Sequence, residues 1–244
     1  MDEKTLKNLV LPRHIGFIMD GNGRWATARG LERSEGHKAG AETFRTISTY
    51  CAKLGIESVT FYAFSTENWK RPKKEVGTLM KLFRAFLEEA QEREGENEAL
   101  GFRIKFAGDM TGLPKDLVRL FKTCESRSAD KTGTTVNIAV NYGGRAEITA
   151  AVRKIAEKVR KGEMGVDDIT EDTVSAGLYT AGQPDPDLII RPGGESRLSN
   201  FLIWQAAYSE FYFTDILWPD FTPEDLDKAI IDFCSRNRRF GAVK

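Results

Sequence analysis

The sequence is poor in the residues that bind transition metals, and it has no long apolar run. Its 244 residues include two histidines and three cysteines, Cys51, Cys124 and Cys234, which are far apart and form no CxxC pair. This spacing argues against a thiolate–imidazole zinc site and predicts reduced thiols. No apolar run approaches the roughly 18 residues of a membrane span. The start, Met1–Lys4, does not resemble a secretory signal. We therefore expect a soluble cytoplasmic protein.

The chain also lacks an excess of charge of either sign, because 36 Lys and Arg residues balance 36 Asp and Glu residues. A general nucleic-acid binder more often carries a basic excess, so we expect no nucleic-acid partner. Any polyanion must instead be bound by local clusters of Arg and Lys. Apolar residues make up 41% of the chain and charged residues 30%. This composition is typical of a globular protein with one sizeable core.

Short β-rich runs alternate with helical segments. The expected strands are Gly16–Met19, Ser58–Phe64, Arg103–Ala107, Thr135–Val140, Leu188–Arg191 and Phe211–Phe213. The expected helices are Ala39–Leu54, Glu75–Ala90, Lys115–Ser128, Arg145–Val159, Asn200–Tyr208 and Pro223–Arg236, the last with Thr222 as its N-cap. Helices of this length between strands indicate βα crossovers. The sequence thus predicts an α/β fold: one domain over residues 1–244, with a central, mainly parallel six-stranded sheet flanked by helices.

The predicted helix Glu75–Ala90 has an apolar arc wider than one helix face, since Leu82 and Phe86 extend the stripe. Burial on two sides through core packing is the ordinary explanation of such an arc. The sharper hypothesis is a helix that lines an apolar ligand tunnel. The acidic run Gln91–Glu98 that follows is expected to be a solvated helix end or a mobile loop.

A first candidate site follows the first strand, where Asp20 precedes Gly21, Gly23 and Arg24. Open α/β sheets place their chemistry at the carboxyl ends of strands. The glycines let the backbone approach a ligand, and the guanidinium suits phosphate oxygens. The alternative is a tight turn in which Asp20 merely caps the next helix. This segment alone does not decide between the two.

A second candidate is the loop Phe64–Pro72, again at a carboxyl end, which combines Ser65, Asn68, Glu67 and Arg71. Its mixed polarity and two aromatics argue against plain core. Asn and Ser are also standard turn formers, so a structural loop remains the alternative.

The third candidate follows the fifth strand, where Arg191 and Arg197 flank a Gly193-Gly194 turn and Ser199 precedes a predicted helix. Cationic forks, free backbone amides and the positive end of a helix dipole together predict a diphosphate cradle. Arginines without a ligand role would instead form salt bridges with nearby acids. Three strand ends of this kind favour the anion site.

Other residues extend this interpretation. Arg33, His37 and Lys38 add cationic or switchable groups, although a lone histidine is as often structural. Glu210 is the acid that we expect to pair with Asp20, because two carboxylates near diphosphates form a natural magnesium site.

The motifs together resemble those of a known family. They are MDGNGRWA at 19–26, GHKAG at 36–40, YAFSTENWKRP at 62–72, NYGGR at 141–145, RPGGESRLSNFLIWQ at 191–205 and YSEFYFTDILWPD at 208–220. The chain resembles the cis-prenyltransferases, and most closely the bacterial undecaprenyl diphosphate synthases. The resemblance implies a homodimer of α/β domains that adds isopentenyl diphosphate units to an allylic diphosphate, usually farnesyl diphosphate. It also implies a lipid product that serves cell-wall synthesis, and hence peripheral membrane contact.

The resemblance also assigns roles. Asp20 would hold Mg²⁺, with help from Glu210, and assist departure of the allylic diphosphate. The implied ligands of the allylic diphosphate and its surroundings are Gly21, Asn22, Gly23, Arg24, Trp25, Arg33 and His37. The implied substrate loop consists of Ser65, Thr66, Glu67, Trp69 and Arg71, and the isopentenyl diphosphate site of Arg191, Arg197, Leu198 and Ser199. Asn68 would be the proton acceptor, but a neutral amide is a poor base, so we expect orientation or relay.

Three local features bear on the resemblance. Ser196 stands where some relatives carry a histidine implicated in metal or proton handling, so that role does not transfer. Arg239-Phe240-Gly241 resembles the family's Arg-x-Gly motif, which reaches the active site across the dimer interface; the alternative is a basic tail. Ala63 is small and leaves room for a growing chain in the product tunnel. With the helix at 75–90 as its wall, we expect a long product near the undecaprenyl class.

Rival classes fit less well. Phosphoryl transfer through an aspartyl nucleophile needs a second acid where this chain has Asn22. The segment Asp167–Glu171 invites comparison with the DDxxD motif of trans-prenyl synthases, but those are all-helical and its aspartates resemble helix caps. A non-catalytic subunit of a two-subunit cis-prenyltransferase would lose Asp20 and the diphosphate-binding arginines. A short- or medium-chain cis-prenyl synthase remains the main alternative.

Overall fold

The computed structural model describes residues 9–92 and 100–236. Its strands are β1 (His14–Ile18), β2 (Ser58–Ser65), β3 (Arg103–Ala107), β4 (Thr135–Tyr142), β5 (Leu188–Pro192) and β6 (Glu210–Thr214). Its α-helices are α1 (Asn22–Ala28), α2 (Arg33–Lys53), α3 (Lys73–Glu92), α4 (Lys115–Arg127), α5 (Gly144–Arg160), α6 (Glu171–Ser175) and α7 (Pro223–Ser235). The 3₁₀ turns that matter below are Thr66–Lys70, Gln205–Tyr208 and Trp218–Asp220.

The six strands form one sheet in the order β3-β4-β2-β1-β5-β6. Every neighbouring pair is parallel, which confirms the predicted α/β fold. From β1 the chain adds β2, crosses to form the edge strand β3, and returns to place β4 between β3 and β2. It then adds β5 and β6 on the other side of β1. The strand order thus reverses between β1 and β5. Ligands of open α/β sheets bind in the crevice at the carboxyl ends of such strands.

The sheet is covered on both faces. β1 and β5 are buried along their whole length, which explains their near-continuous apolar sequences. On one face, Phe17 stacks on Phe61 with ring centroids 4.8 Å apart, within the larger core cluster. On the other face, Tyr62 stacks on Phe201 at 4.7 Å within a smaller cluster. The sheet is therefore a rigid base for the groups at its carboxyl edge.

The helix predicted for Asn200–Tyr208 is wrong. Ser199, Asn200 and Leu202 have φ angles of 51°, 65° and 45°, which lie in the left-handed region and exclude a right-handed helix there. Only the short 3₁₀ turn Gln205–Tyr208 remains. Asn200 instead connects other segments of the site through its side chain, as described below.

The other helix predictions differ mainly at their starts. The short helix α1 was not predicted, and α2 begins at Arg33 rather than near Ala39. Thr222 is confirmed as the N-cap of α7, with a reciprocal capping box to Asp225. Within residues 9–92 and 100–236, no helix has the length and apolarity needed to cross a membrane.

Two features named in the sequence fall outside the described residues. They are the Arg239-Phe240-Gly241 motif and most of the acidic run, from residue 93 to residue 98. Gln91 and Glu92 form the end of α3.

Candidate active site

Asp20 lies just beyond β1, at the carboxyl edge of the sheet, where its carboxylate contacts two arginines. Its Oδ2 accepts a 2.9 Å hydrogen bond from Nη2 of Arg191. Its Oδ1 lies 3.2 Å from Nη2 of Arg24. Asp20 caps no helix, because Gly21 is the N-cap of α1 and no side chain caps that end. The capping alternative is therefore wrong. The turn instead places a carboxylate between two guanidiniums, at the point between β1 and β5 where the strand order reverses.

Arg191, in β5, is oriented by contacts on two sides, and its side chain is only 5% exposed. Its Nη1 donates to Oγ of Ser199 at 2.7 Å and to the carbonyl oxygen of Arg197. Its Nε is buried without a partner among the described residues. A guanidinium positioned before a ligand binds needs no reorganisation to stabilise an anion.

The turn after β5 does not supply the free amides that the sequence predicted. The N–H of Gly193 donates to the carbonyl of Ile216 at 2.8 Å, and that of Gly194 donates to the carbonyl of Thr214 at 2.9 Å. Ser199 begins no helix, so no helix dipole acts at this point. The Gly193 and Gly194 amides and a helix dipole are therefore not part of an anion cradle at this turn.

Arg24 and Arg197 remain open to solvent, with side chains 52% and 61% exposed. Arg197 forms an ion pair with Glu195. Salt bridges to nearby acids, as expected of arginines with structural roles, are thus present. Exposed pairs contribute only about 0–1 kcal/mol, so a diphosphate can replace the carboxylate partners of these two guanidiniums at small cost. Leu198 is partly buried and packs against the cluster around Phe201.

A second group of basic side chains surrounds Glu75, in the first turn of α3. Its Oε1 lies 3.0 Å from Nη1 of Arg71, 3.3 Å from Nη2 of Arg33 and 3.9 Å from Nε2 of His37. The Glu75 side chain is 18% exposed. One carboxylate thus gathers three of the predicted substrate-binding residues. Sequence reasoning missed Glu75, although its position four residues after Arg71 was a signal.

His37 is neutral at pH 7. Burial is the largest cause that lowers its pKa to about 4, and the charges of Arg71 and Arg33 act in the same direction, against the opposing effect of Glu75. Its Nε2 is buried without a hydrogen-bond partner among the described residues, and so is Oδ1 of Asn22. Two such polar atoms lining one cavity fit a ligand with a polar head group.

Gly36 and Gly40 explain how these two atoms come together. A Cβ at Gly36 would lie 2.0 Å from the backbone oxygen of Asn22, and one at Gly40 would lie 2.4 Å from its Oδ1. Only glycines allow α2 to pack this closely against α1. The indole N–H of Trp218 donates to the carbonyl of Gly40 at 2.8 Å and completes the contact. The GHKAG motif therefore places His37 beside Asn22.

Asn68 caps the 3₁₀ turn that follows β2. Its Oδ1 accepts the backbone N–H of Ser65 at 3.1 Å. The amide oxygen thus has a structural bond, and among the described residues no contact makes this neutral amide a stronger base.

Asn200 links three of the motif segments. Its Nδ2 donates to Oε1 of Glu67 at 3.0 Å, and its Oδ1 accepts the backbone N–H of Arg145 at 2.9 Å. Its carbonyl accepts the N–H of Gly144 at 2.7 Å. Burial disfavours ionised Glu67, but its own backbone N–H, Asn200 and Thr66 donate to the carboxylate and lower its pKa overall. Sequence reasoning missed this positioning role, because Asn200 was read as the start of a helix.

The two predicted substrate-binding tryptophans differ in their surroundings. Trp69, 39% exposed, donates from its indole to Oδ1 of Asn141 at 2.7 Å beside the substrate loop. Trp25 donates to Asp220 at 2.6 Å, and the guanidinium of Arg29 lies 4.2 Å above its ring. The described contacts of Trp25 are thus those of a surface cluster, and none of them involves Asp20.

Glu210 does not join Asp20. In the β5–β6 ladder Arg191, which contacts Asp20, pairs with Phe213, three residues beyond Glu210. At about 3.3 Å per residue, Glu210 lies roughly 10 Å nearer the amino edge of the sheet. Its carboxylate pairs with Nη1 of Arg236 at 2.6 Å. Within one chain, the two carboxylates predicted to share a magnesium ion do not converge.

The side chains between β1 and β5, where the strand order reverses, limit the kind of metal site that can form. Within residues 9–92 and 100–236, no three His, Cys, Asp or Glu side chains are grouped to hold a metal ion. Magnesium commonly uses one or two carboxylates together with substrate phosphates and water. Asp20 therefore fits a magnesium ion whose coordination a diphosphate completes, but not a site made by protein alone.

An apolar cavity of about 700 Å³, including its open mouth, begins at these polar groups and runs between α2 and α3. Asn22 and His37 are at its polar end, and Ala63 lines it as the sequence predicted. The α3 residues that line it are Leu79, Leu82, Phe83, Phe86 and Leu87. Leu82 and Phe86, which widen the arc, face this cavity, so the helix lines an apolar space beside the core. That the space holds a ligand stays a prediction.

The fold and the site define a class: a parallel α/β protein that binds an amphipathic ligand, with a basic end for an anionic head and an apolar cavity for a hydrocarbon tail. A family model described as "Putative undecaprenyl diphosphate synthase" matches residues 18–241. The chain therefore belongs to the undecaprenyl diphosphate synthase family of prenyltransferases, and it is an enzyme that transfers prenyl groups.

Individual relatives agree. An isoprenyl transferase of Clostridium perfringens is 50% identical over 243 residues, which cover 100% of this chain and 95% of that one. A ditrans,polycis-undecaprenyl-diphosphate synthase ((2E,6E)-farnesyl-diphosphate specific) of Aliivibrio fischeri is 45% identical, covering 96% and 90%.

Solved structures show the same fold. A lavandulyl diphosphate synthase from Lavandula x intermedia, in complex with dimethylallyl diphosphate, superposes with a TM-score of 0.91 at 39% identity, covering 96% of this chain and 99% of that one. A probable undecaprenyl diphosphate synthase from Campylobacter jejuni superposes at 0.77 with 31% identity, covering 95% and 99%. The parallel sheet also excludes the all-helical trans-prenyl synthases.

Proposed function

We propose that the enzyme condenses isopentenyl diphosphate units onto farnesyl diphosphate and forms a long-chain cis-polyprenyl diphosphate near the undecaprenyl class. The observation that carries this proposal is the continuity of one site. The buried, unpartnered atoms of Asn22 and His37 line the same cavity as the apolar side chains of α3. The Aliivibrio relative is named as specific for farnesyl diphosphate, which supports this choice of allylic substrate.

The basic side chains of the site divide between two diphosphates. Arg24 and Arg33, with the neutral imidazole of His37, hold the allylic diphosphate at the mouth of the cavity. Arg191 and Arg197, with Ser199, hold the diphosphate of isopentenyl diphosphate. This division places the two reacting carbons between β1 and β5. The allylic C–O bond ionises, the isopentenyl double bond attacks the allylic carbon, and a proton is lost.

Asp20 holds Mg²⁺ in this proposal. The metal would neutralise the charge that develops on the leaving diphosphate. Without a ligand, Asp20 is paired with Arg191 and Arg24, so diphosphate binding exchanges these partners. Glu210 lies too far along β6 to complete the metal site within the same chain. Asn68 orients the substrate loop, and the proton acceptor of the condensation is a different group, such as a diphosphate oxygen.

We further propose that the enzyme is a homodimer that works in the cytoplasm, at the membrane surface where its lipid product is needed for cell-wall synthesis. The edge strand β6 supports the dimer, because it carries Phe213, which is 38% exposed, and follows Tyr208, which is 74% exposed. Light scattering of the purified protein tests the dimer. A monomer at micromolar concentration would contradict it.

One incubation tests the reaction. The full chain is mixed with farnesyl diphosphate, labelled isopentenyl diphosphate and Mg²⁺, and the products are sized by chromatography. We expect label in chains near 55 carbons, and none after chelation of the metal. A folded sample that incorporates no label would refute the proposal.

A shorter product is the second candidate. The observation in its favour is the superposition on lavandulyl diphosphate synthase, whose structure contains dimethylallyl diphosphate, a short prenyl diphosphate. The same chromatogram decides between the two, because exclusive release of 15- to 20-carbon products would establish the short-chain reaction.

A further inference from the structure

The 3₁₀ turn Thr66–Lys70 is attached to β4 through a hydrogen bond whose acceptor is almost buried. The indole N–H of Trp69 donates to Oδ1 of Asn141 at 2.7 Å, and the Trp69 ring packs edge-on against Phe64 with centroids 5.2 Å apart. Asn141 is 7% exposed and Phe64 is 1% exposed. The exposed Trp69 is therefore held by two buried groups at the carboxyl ends of β2 and β4.

Asn141 has an unusual backbone for a buried residue. Its φ angle of 50° lies in the left-handed region, which glycine adopts freely and other residues adopt less readily. Its carbonyl oxygen accepts the N–H of Asp109 at 3.2 Å, and its Nδ2 donates to the carbonyl oxygen of Asp109 at 2.6 Å. A glycine would fit this backbone but would lose the side-chain bonds. The amide of Asn141 thus connects Trp69 to the loop that follows β3.

The orientation of this amide is fixed by its two partners. An indole N–H only donates and a backbone carbonyl only accepts, so the oxygen of Asn141 must face Trp69 and the nitrogen must face Asp109. The loop that carries Asp109 lies close to β4, since a Cβ at Gly108 would lie 1.9 Å from the carbonyl oxygen of Val140. The acceptor for the indole is therefore held in one place and in one orientation.

The contacts of the turn on either side of this indole are different in kind. Before it, Glu67 accepts the hydrogen bond from Asn200, and after it Arg71 pairs with Glu75. Both contacts involve a carboxylate, which the charge of a bound diphosphate repels. The bond from indole to amide joins two neutral groups, so that charge affects it much less. It is the contact that can keep the turn in place while substrates bind.

We propose that Asn141 is a positioning residue for the condensation, which acts through the indole of Trp69 to fix the turn Thr66–Lys70 on the sheet. This inference rests on the proposed reaction. Asn141 acts through Trp69 rather than on substrate, because it is almost buried. Substrates that bind but are misaligned react slowly, since a displacement of about 1 Å can cost roughly 100-fold in rate. Loss of the bond should therefore lower kcat more than it changes either KM.

Two variants and their combination test the inference by initial rates of label incorporation, with the full chain. Asn141→Gly keeps the left-handed backbone and removes the amide, whereas Trp69→Phe keeps an aromatic ring and removes the N–H donor. We expect each to lower kcat at least about tenfold, with each KM within about threefold of the wild type. The double variant should be no slower than the slower single variant, because both remove the same bond.

Asp109→Ala is the matched control at the same corner. The Asp109 carboxylate accepts from the N–H and the hydroxyl of Thr111 at 2.9 and 2.7 Å, whereas its backbone carbonyl binds Asn141. The substitution therefore removes a side-chain cap and keeps the support of the Asn141 amide. Its kcat should match that of the wild type. A loss equal to that of Asn141→Gly would show that general loosening of this corner, rather than the indole bond, slows the reaction.

The indole N–H signal of Trp69 in isotope-labelled protein gives a readout besides activity, and it is identified by its absence in Trp69→Phe. After transfer to heavy water it should exchange slowly in the wild type and in Asp109→Ala, and faster in Asn141→Gly. Rapid exchange in the wild type would overturn the inference even if Asn141→Gly does not fold. Wild-type kcat in Asn141→Gly, or additive losses in the double variant, would do the same. No incorporation by the wild type would instead refute the proposed reaction itself.

Discussion

The polar end of the site consists of two cationic clusters, each built around one carboxylate. The Asp20 cluster lies at the sheet edge, where Arg191 is 5% exposed and bonded to backbone and side chain. The Glu75 cluster lies at helix starts, where Arg33 is 56% exposed and Arg71 35% exposed. The difference indicates that the first cluster is preorganised by the fold, whereas the second depends on its carboxylate to stay assembled.

Substitution of Asp20 should have the largest effect. We expect Asp20→Asn to lower kcat about 10³-fold, because the charge that holds magnesium and faces the leaving diphosphate is lost. The isosteric amide keeps an acceptor for Arg191. Asp20→Ala removes that acceptor and should also cost roughly 1–3 kcal/mol of stability. Steady-state kinetics and urea unfolding separate the two effects. Asp20→Asn with near wild-type kcat would show that this carboxylate does not act in catalysis.

Glu75 tests whether the second cluster needs its carboxylate. Glu75→Gln weakens charge-assisted hydrogen bonds to two guanidiniums, which then repel each other. We expect KM for the allylic diphosphate to rise about tenfold, equivalent to roughly 1.4 kcal/mol, with a smaller change in kcat. A lower KM would mean that Glu75 competes with the ligand for these cations. Either result is measured by initial rates at fixed isopentenyl diphosphate.

We expect acid to destabilise the folded protein through His37, which belongs to the Glu75 cluster. Its pKa is about 4 in the folded protein, below the usual 6.5, mainly because of burial. His37 takes up a proton in the unfolded chain but not in the folded chain, so the free energy of unfolding falls as the pH drops from about 6.5 toward 4. Each pH unit in this window costs up to about 1.4 kcal/mol for this group. His37→Gln should flatten that part of the curve of unfolding free energy against pH. A curve of unchanged slope would contradict the assignment, since buried His14 would then account for all of it.

Trp25 should give the smallest effect and marks the outer limit of the Asp20 cluster. Trp25→Phe removes the hydrogen bond to Asp220 and should cost about 1 kcal/mol of stability. Its kcat/KM should stay within about twofold of the wild type, because a substitution outside the substrate site changes the activation free energy very little. A tenfold loss in kcat/KM would place Trp25 at the substrate, as the family resemblance implied.

The sequence alone predicted the topology and the groups at the switch point better than their local geometry. Strand ends identify Asp20 and Arg191 because a parallel sheet brings carboxyl ends to one edge. The helix predicted after Ser199 is wrong because Asn200 makes three tertiary hydrogen bonds in a left-handed conformation. Helix propensity, which depends only on nearby residues, does not include such tertiary contacts. For the same reason the Gly193 and Gly194 amides were predicted free although neighbouring loops use them. Glu75 was missed because its partners lie on separate elements.

The glycines of α2 have a further consequence for how such an enzyme can diversify. Two absent methyl groups set both the separation of the polar atoms and the width of the entrance, so the entrance cannot change without disturbing the head-group ligands. The far wall of the cavity, at Phe44 and Phe86, does not also position these polar atoms. A substitution there is therefore free to change the length of the lipid that fits without moving the head-group ligands.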